Sequence, residues 1–262
     1  MSSGSKFKPR ILGIICNWCC YGGADLCGVS RFQYPPYIRL IRVMCSARVD
    51  FAHILLAFST GQDAVFVGGC HLDDCHYITN GNYGALSVVS ICWKLLKHVG
   101  VNPDRLRLEW VSAGEGIRFA NIMNELGKEI EDLGPIGKSE GIDEHTLKFR
   151  LDALTKLVPY IKLVQTQRLG IPRSPGSAVD QERLYHDFFS SDEVNRIFDQ
   201  AIFDKLAVTQ IVSLLQGGPL TTVEMAKKLG LSPSEVSRHL NTSARQGLVR
   251  YDESLKRFAS AG

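Results

Sequence analysis

Long apolar runs are missing from this sequence, and none approaches the run of about 18 residues that spans a bilayer. The N-terminus MSSGSKFKPR is basic, but the apolar run ILGII after it is shorter than the core of a signal peptide. The glycine fingerprint GxGxxG is also missing, since GVSRF and SAGEG do not match it, so we expect no bound flavin or nicotinamide. These absences predict a cytoplasmic protein without a membrane segment.

Cysteine, in contrast, is abundant, with 8 residues in a chain of 262. A reducing cytoplasm argues against a framework of structural disulfides. Metal, cluster or redox chemistry is therefore the function class that the composition favours. Charge is unevenly distributed, because the segment from Leu206 to Gly262 contains seven Lys and Arg and four Asp and Glu residues, and its net charge of +3 equals that of the whole chain.

The first half of the chain alternates short apolar runs with longer helical patterns, which is typical of a parallel sheet with crossover helices. Four segments have the character of buried strands: Arg10–Ile15, Ile38–Met44, Ala64–Gly68 and Leu106–Val111. Two of the intervening helical patterns end at glycine C-caps, Gly61 and Gly100. The pattern predicts an α/β domain.

Strand signals stop near residue 143, and the periodicity becomes helical. We expect an interruption of this helix at Pro159, a loop over Ile171–Asp180, and a helical pattern that resumes at Ser191. The predicted domains are an α/β domain over residues 1–138, a helical connector over 139–205 and a winged-helix-like domain over 206–262.

The winged-helix prediction rests on several features at consistent offsets. Thr222 is expected to cap a helix that ends at Gly230, and Ser232 with Glu235 forms the capping box of a second helix, Pro233–Gln246. Two short strand patterns, LVRYDE and LKRFA, follow as the wing.

Three of the four predicted strands end at or next to a cysteine, namely Cys16, Cys45 and Cys70. Parallel strands all end at one edge of a sheet, where α/β proteins place their sites. Cys19 and Cys75 lie a few residues further along two of the same loops. The segments CNWC, MCS and GCHLDDC are therefore expected to converge into one site with five thiols.

Three kinds of site are open at this point. An iron-sulfur cluster takes thiolates from loops, and a two-iron cluster needs four of them. Zinc bound by four cysteines competes, although the spacing offers one CxxC, one single cysteine and one Cx4C rather than two knuckles. A redox dithiol at CNWC leaves Cys45, Cys70 and Cys75 without a role.

Other residues near the five candidate cysteines are not expected to be ligands. We expect His71 and His76 to form hydrogen bonds near the site rather than to bind metal, and Cys20, Cys27 and Cys92 not to be ligands. Other residues at this edge allow close backbone approach or flank the thiols with charge: Gly22, Gly23, Gly68, Gly69, Gly81, Gly84, Asp25, Arg42 and Arg48.

Four blocks in order resemble the delta subunit family of methyl-viologen-reducing hydrogenase, the iron-sulfur protein associated with heterodisulfide reductase. They are CNWCCYGGAD, YPPYIRLIRVMCSARVD, GQDAVFVGGCHLDDCHY with GNYGA, and LRLEWVSAGEG. The resemblance covers the first half of the chain, while the helical middle and the winged-helix end depart from it.

The resemblance implies one [2Fe–2S] cluster held by four of the five residues Cys16, Cys19, Cys45, Cys70 and Cys75. It also implies an electron relay between a hydrogenase or formate dehydrogenase module and the flavin-containing subunit of a heterodisulfide-reductase-like, electron-bifurcating complex. The chain is then an enzyme only as an electron-transfer subunit, without a substrate site of its own.

Two alternatives remain beside the relay. One is a redox-sensing regulator that binds DNA through the winged helix, with Arg238, His239, Asn241 and Arg245 as readers of bases or phosphates. The other is a scaffold stabilised by zinc. In the relay hypothesis, residues 206–262 serve for protein docking or homodimerisation.

Overall fold

The computed structural model describes residues 7–77, 81–171 and 178–261. Within these limits the chain forms two compact units, residues up to 151 with 171–189, and residues 152–170 with those from 190 onward. The division into domains at 138 and 205 stays a prediction. None of the helices in the described residues combines the length and the hydropathy needed to cross a membrane.

A parallel four-stranded sheet is the centre of the first unit, as the alternating pattern predicts. Its strands are β1 (Ile11–Cys16), β2 (Ile38–Val43), β3 (Ala64–Gly69) and β4 (Leu106–Trp110). They lie in the order β2-β1-β3-β4, and every pairing is parallel. β3 is buried along its whole length and β1 nearly so, because helices cover both faces of the sheet.

Four helices connect or follow these strands: α1 (Cys19–Val29), α2 (Phe51–Ser59), α3 (Asn82–His98) and α4 (Gly116–Leu133). α1 and α4 contact each other, and their buried residues share one core cluster with β1 and β3. α2 and α3 contact each other and cover the rest of the sheet. Gly61 and Gly100, with φ of +86° at both, follow α2 and α3 as the predicted glycine stops.

Arg105 joins the chain segments at the amino ends of the strands. Its side chain is completely buried, and it forms an ion pair of 2.6 Å with Glu140. It also donates hydrogen bonds to the backbone oxygens of Asp63 and Gly134 and to the hydroxyl of Ser139. The buried charge is therefore compensated on every side.

Two expectations for the helical middle are wrong. α5 runs from Glu144 to Arg168 through Pro159, since buried apolar neighbours such as Leu157 and Ile161 hold the helix together where proline removes one backbone donor. Helix α6 (Ala178–Ser190) begins before the predicted end of the loop at Asp180. The rest of that predicted loop, residues 172–177, lies outside the described residues.

The second unit contains the predicted winged helix. Helix α7 (Asp192–Ile197), a π-helical segment (Phe198–Phe203) and α8 (Asp204–Leu215) precede it. Helices α9 (Thr222–Leu229) and α10 (Pro233–Arg245) are followed by the antiparallel wing strands β5 (Val249–Asp252) and β6 (Arg257–Ser260). The mixed α/β fold class is thus confirmed.

The helix caps in this unit confirm the prediction except at one residue. Ser232 and Glu235 form the expected capping box, and Gly230 ends α9 in the left-handed conformation with φ of +70°. The cap of α9, however, is Thr221 and not Thr222, because the side chain of Glu224 reaches the backbone N–H of Thr221 and so completes the box one residue earlier.

Candidate metal centre

The carboxyl edge of the sheet carries the predicted cysteines. Cys16 is the last residue of β1, Cys45 lies two residues after β2, and Cys70 directly follows β3. These three strands are adjacent in the sheet, with β1 in the middle. The chain therefore delivers the three thiols to one place although they are far apart in sequence.

The five candidate thiols form two close pairs and one additional neighbour. The sulfur atoms of Cys16 and Cys70 are 3.7 Å apart, and those of Cys45 and Cys75 are 4.0 Å apart. Cys19 shares a hydrogen bond with Cys70 and interacts electrostatically with Cys75. Cys45 also interacts electrostatically with Cys16, so the two pairs lie within electrostatic range of each other.

Cys16 has the most acidic environment among these thiols. The Cys70 thiol donates a hydrogen bond to it, and the backbone N–H groups of Cys20, Cys19 and Trp18 also point to its sulfur, the first of these at 3.3 Å. Together these donors lower the pKa of Cys16 to about 6 against the opposing effect of burial. This loop is therefore arranged to stabilise a thiolate.

Three other thiols of this group, Cys19, Cys45 and Cys70, favour the protonated form. Burial raises the pKa of Cys19 and of Cys45, and the hydrogen bond to Cys16 raises the pKa of Cys70. Metals bind thiolates, so any metal that occupies this place must displace these protons, and its affinity will increase with pH.

Three further cysteines lie apart from these pairs. Cys20 is fully buried, and burial raises its pKa well above the ordinary value. The thiol of Cys27 donates to the backbone oxygen of Phe32 at 3.6 Å. Cys92 is buried in α3, where desolvation raises its pKa. Their assignment as non-ligands stays a prediction that these surroundings favour.

Both histidines near the cysteines interact with other side chains. Nε2 of His71 is 2.7 Å from Oε2 of Glu115, and the backbone N–H of Ser112 donates to the same oxygen at 2.7 Å, which lowers the pKa of Glu115. The ring of His76 stacks on Trp18 with centroids 4.0 Å apart. The contact of His71 with Glu115 is a hydrogen bond of the kind expected for these histidines, whereas His76 stacks on an aromatic ring.

Asn82 is a residue of this edge that sequence reasoning did not identify. Its side chain is buried, and its Nδ2 donates to the backbone oxygens of Cys70 at 2.7 Å and of His71 at 2.6 Å. It thereby attaches the loop after β3 to the first turn of α3. The only signal in the sequence is a polar residue at the start of an otherwise apolar helix, which does not identify such a role.

A Cβ would lie within 3.0 Å of a neighbouring atom at five of the six glycines expected to permit close approach, and two of these five contact cysteine sulfurs. A Cβ on Gly81 would overlap the sulfur of Cys75 and lie 2.5 Å from the backbone oxygen of Tyr77. A Cβ on Gly68 would overlap the sulfur of Cys20. The loop around Cys75 therefore requires glycine at position 81 for steric reasons.

The spacing within the two pairs fits tetrahedral metal coordination by thiolates. Two thiolates on one tetrahedral metal, with metal–sulfur distances of about 2.3 Å, lie about 3.8 Å apart. The observed separations of 3.7 and 4.0 Å are close to this value. In the described part of the chain, no three metal-binding side chains converge on a single point. The closest sulfur atoms are thus arranged as two pairs.

The recognition helix of the winged helix presents fewer free side chains than expected. Nη2 of Arg238 is 3.0 Å from Oδ1 of Asp204, and His239 is buried, with a pKa lowered by desolvation. Asn241 and Arg245 are exposed. Arg238 is thus held by an ion pair, and His239 is buried. Of the four predicted readers, Asn241 and Arg245 are the two to which neither restriction applies.

Two family models match this chain. Residues 11–134 match the model of the methyl-viologen-reducing hydrogenase delta subunit, and residues 207–251 match that of bacterial regulatory proteins of the arsR family. The second match covers the winged helix.

Curated relatives resemble the first half of the chain. The iron-sulfur subunit of the F420-non-reducing hydrogenase vhc of Methanococcus voltae is 48% identical over 142 residues, which are 53% of this chain and 98% of that protein. The iron-sulfur subunit of the F420-non-reducing hydrogenase of Archaeoglobus profundus is 48% identical over 50% of this chain and 94% of its own length.

A different relative carries the same domain inside a larger protein. This relative, from the ferredoxin/F(420)H(2)-dependent CoB-CoM heterodisulfide reductase of Methanosarcina acetivorans, is 50% identical over 129 residues. That match covers 49% of this chain but 16% of the reductase polypeptide.

Proposed function

Because the chain belongs to the methyl-viologen-reducing hydrogenase delta-subunit family, we propose that it carries one [2Fe–2S] cluster and transfers electrons within an oxidoreductase complex. The arrangement of four of the five thiols as two close pairs at the carboxyl edge of the sheet is the main support for this proposal. A cluster of this type needs four thiolates, two for each iron.

Cys16 and Cys70 would hold one iron, and Cys45 and Cys75 the other. The separation of the sulfur atoms within each pair supports this assignment. Cys19 would be the fifth thiol, next to Cys70 but outside either pair. The sequence left the choice of four among five open, and this pairing is our proposal for it.

The surrounding residues fix the thiols and supply donors to sulfur. Backbone N–H groups at the start of α1 point to Cys16, while Asn82 holds the loop that carries Cys70. When bound, the cluster takes up and gives up one electron at a time, and hydrogen bonds to sulfur tune its reduction potential. In this proposal the residues of this chain provide the relay site, and the substrate sites belong to other subunits.

The relatives that share the domain support a hydrogenase and a heterodisulfide reductase as the kinds of partner. We propose that the chain receives electrons from a hydrogenase or formate dehydrogenase module and passes them to the flavin-containing subunit of a heterodisulfide-reductase-like, electron-bifurcating complex in the cytoplasm. Occurrence of the same domain within a heterodisulfide reductase polypeptide supports this partner. Residues 206–262 would provide docking or homodimerisation.

Iron and acid-labile sulfide per chain, measured on anaerobically purified protein together with an EPR spectrum after dithionite reduction, test the cluster. We expect about two of each and the signal of a reduced two-iron centre. Cys75→Ala should lose the iron, whereas the matched control Cys20→Ala should retain it. Zinc in place of iron after anaerobic reconstitution would overturn the proposal.

The match to the arsR family supports a second candidate, a redox-sensing regulator that binds DNA. The ion pair of Arg238 with Asp204 and the burial of His239 reduce the side chains that α10 offers to DNA. Retention on heparin or on duplex DNA as a function of salt tests this candidate. Loss of salt-sensitive binding in the double variant Arg238→Ala, Arg245→Ala would favour the regulator, and absence of binding in the parent protein would refute it.

A further inference from the structure

The surface beside the cysteine edge contains a concentration of exposed apolar side chains. Val29 at the end of α1 is 76% exposed, Met44 after β2 is 54% exposed, and Ile41 within β2 is 48% exposed. Further members of this group lie between residues 18 and 44: Trp18, Tyr21, Leu26 and Phe32. Three of these side chains, Tyr21, Val29 and Ile41, line one groove, and exposed apolar side chains grouped in this way mark an interaction surface.

Between α1 and β2 this surface forms a groove of about 500 Å³. β2 contributes one wall with Leu40 and Ile41, and α1 contributes the opposite wall with Tyr21 and Val29. Tyr34 adds a further aromatic surface. The groove has the size and the apolar lining to accept a large aliphatic or aromatic side chain.

β2 is an edge strand of the sheet. In the described residues its neighbour is β1 on one side, and no strand lies on the other. Parallel sheets normally bury their strands, so an exposed edge beside an apolar groove is a liability for a free protein unless something covers it.

Positive charge lies along this edge. Arg39 and Arg42 project from β2, where Arg42 stands 4.3 Å above the ring of Tyr21 and Arg39 donates to the backbone oxygen of Pro36. Within the described part of the chain, neither guanidinium forms an ion pair with a carboxylate. Asp25 is the acidic residue in the lining of the groove. Two arginines are thus available for carboxylates of a partner.

Two residues of the groove lie close in sequence to candidate cysteines of the metal centre. Tyr21 follows Cys19 by two residues in α1, and Arg42 precedes Cys45 by three. A protein bound in the groove would therefore cover the edge at which the thiols lie, which is where an electron-transfer partner has to approach.

We propose that the groove between α1 and β2 is the docking site of the electron-transfer partner, and that the partner is an acidic protein that inserts an apolar side chain flanked by carboxylates. The apolar lining takes the side chain, Arg42 in the wall of the groove takes one carboxylate, and Arg39, on the other face of the same edge strand, takes a second. This inference rests on the proposed electron-transfer function and adds the place and the chemistry of its partner.

Stopped-flow reduction of the full-length, cluster-loaded protein by an acidic two-iron ferredoxin tests the docking site. At low ionic strength we expect the double variant Arg39→Glu, Arg42→Glu to be reduced at least about 10-fold more slowly than the parent, because the variant repels the acidic probe. In about 1 M salt, where the screening length is about 3 Å, the difference should largely disappear. Val29→Asp should slow reduction at both salt concentrations.

The matched control is the double variant Lys97→Glu, Lys128→Glu, which changes the charge equally at exposed positions on α3 and α4 that do not line the groove. It should react within about twofold of the parent, since its charges lie away from the docking site. Equal rates for the two double variants would overturn the docking site, as would a ferredoxin that fails to reduce the parent.

Reduction by dithionite separates this inference from the function on which it rests. If dithionite reduces the parent and all variants at the same rate, the cluster is intact and a ferredoxin result concerns docking alone. If dithionite reduces none of them, the electron-transfer function itself fails, and the docking proposal fails with it.

Discussion

Replacing Gly81 with alanine tests whether the position of Cys75 determines the candidate metal centre. The added Cβ would overlap the sulfur of Cys75 and lie 2.5 Å from the backbone oxygen of Tyr77. Ordinary contacts between heavy atoms are about 3.5 Å or longer, so this loop must move by about 1 Å. Overpacking of this kind destabilises a folded protein by about 1–3 kcal/mol.

A shift of this size should matter more for the site than for the fold. Cys75 is 4.0 Å from Cys45, and metal sites tolerate displacements of only about 0.5 Å. We therefore expect Gly81→Ala to fold but to contain less than half of the parent's iron and sulfide after anaerobic reconstitution.

Gly114→Ala is the matched control, because a Cβ there meets nothing within 4 Å. Both variants share the effect of alanine on the unfolded chain. Iron content, sulfide content and visible absorbance of Gly81→Ala equal to those of Gly114→Ala would refute the reasoning that Cys75 is held in place by the glycine.

Three further predictions concern the fold and the remaining thiols. Arg105→Ala should lower the free energy of unfolding by about 3–5 kcal/mol in urea denaturation, since it leaves Glu140 with a buried, uncompensated charge; a loss below about 1 kcal/mol would contradict this. Thr221→Ala should lower the unfolding free energy of the second unit by about 1 kcal/mol, because Thr221 is the cap of α9. Thr222→Ala should lower it by less than half of that, and the reverse order of the two effects would make Thr222 the cap. Cys20→Ser should leave the electronic spectrum of the loaded protein unchanged, and a shifted spectrum would make this thiol a ligand.

The strands of the sheet and the cysteines at its carboxyl edge could be predicted from the sequence, and the reason is physical. Strands buried on both faces are continuous apolar runs, and the sequences ILGIIC of β1 and AVFVGG of β3 have this character. Since parallel strands end at one edge, the positions of Cys16, Cys45 and Cys70 follow from the pattern alone. The winged-helix end was predictable because caps and glycine stops are local signals.

Features that depend on three-dimensional neighbours escaped prediction. Which thiols pair depends on the loop after β3, whose conformation rests on Asn82 and on the steric requirement at Gly81. Helix α6 is held by tertiary contacts, such as the hydrogen bond of 3.2 Å between Trp110 and Glu182, that no local pattern indicates. The exposed groove beside β2 escaped prediction because it forms only where α1 packs beside β2, although the two arginines in IRLIRV distinguish this edge strand from the uncharged internal strands β1 and β3.

The two thiol pairs link distant parts of the chain in an interleaved manner. Cys16 and Cys70 are 54 positions apart, Cys45 and Cys75 are 30 positions apart, and each span encloses one end of the other. A cofactor bound by both pairs would act as two interleaved cross-links, each of which removes about 4 kcal/mol of chain entropy from the unfolded state on the loop-closure model. Loss of the cofactor to oxygen would then remove both cross-links at once, so the lifetime of the folded protein would depend on the oxygen in its surroundings.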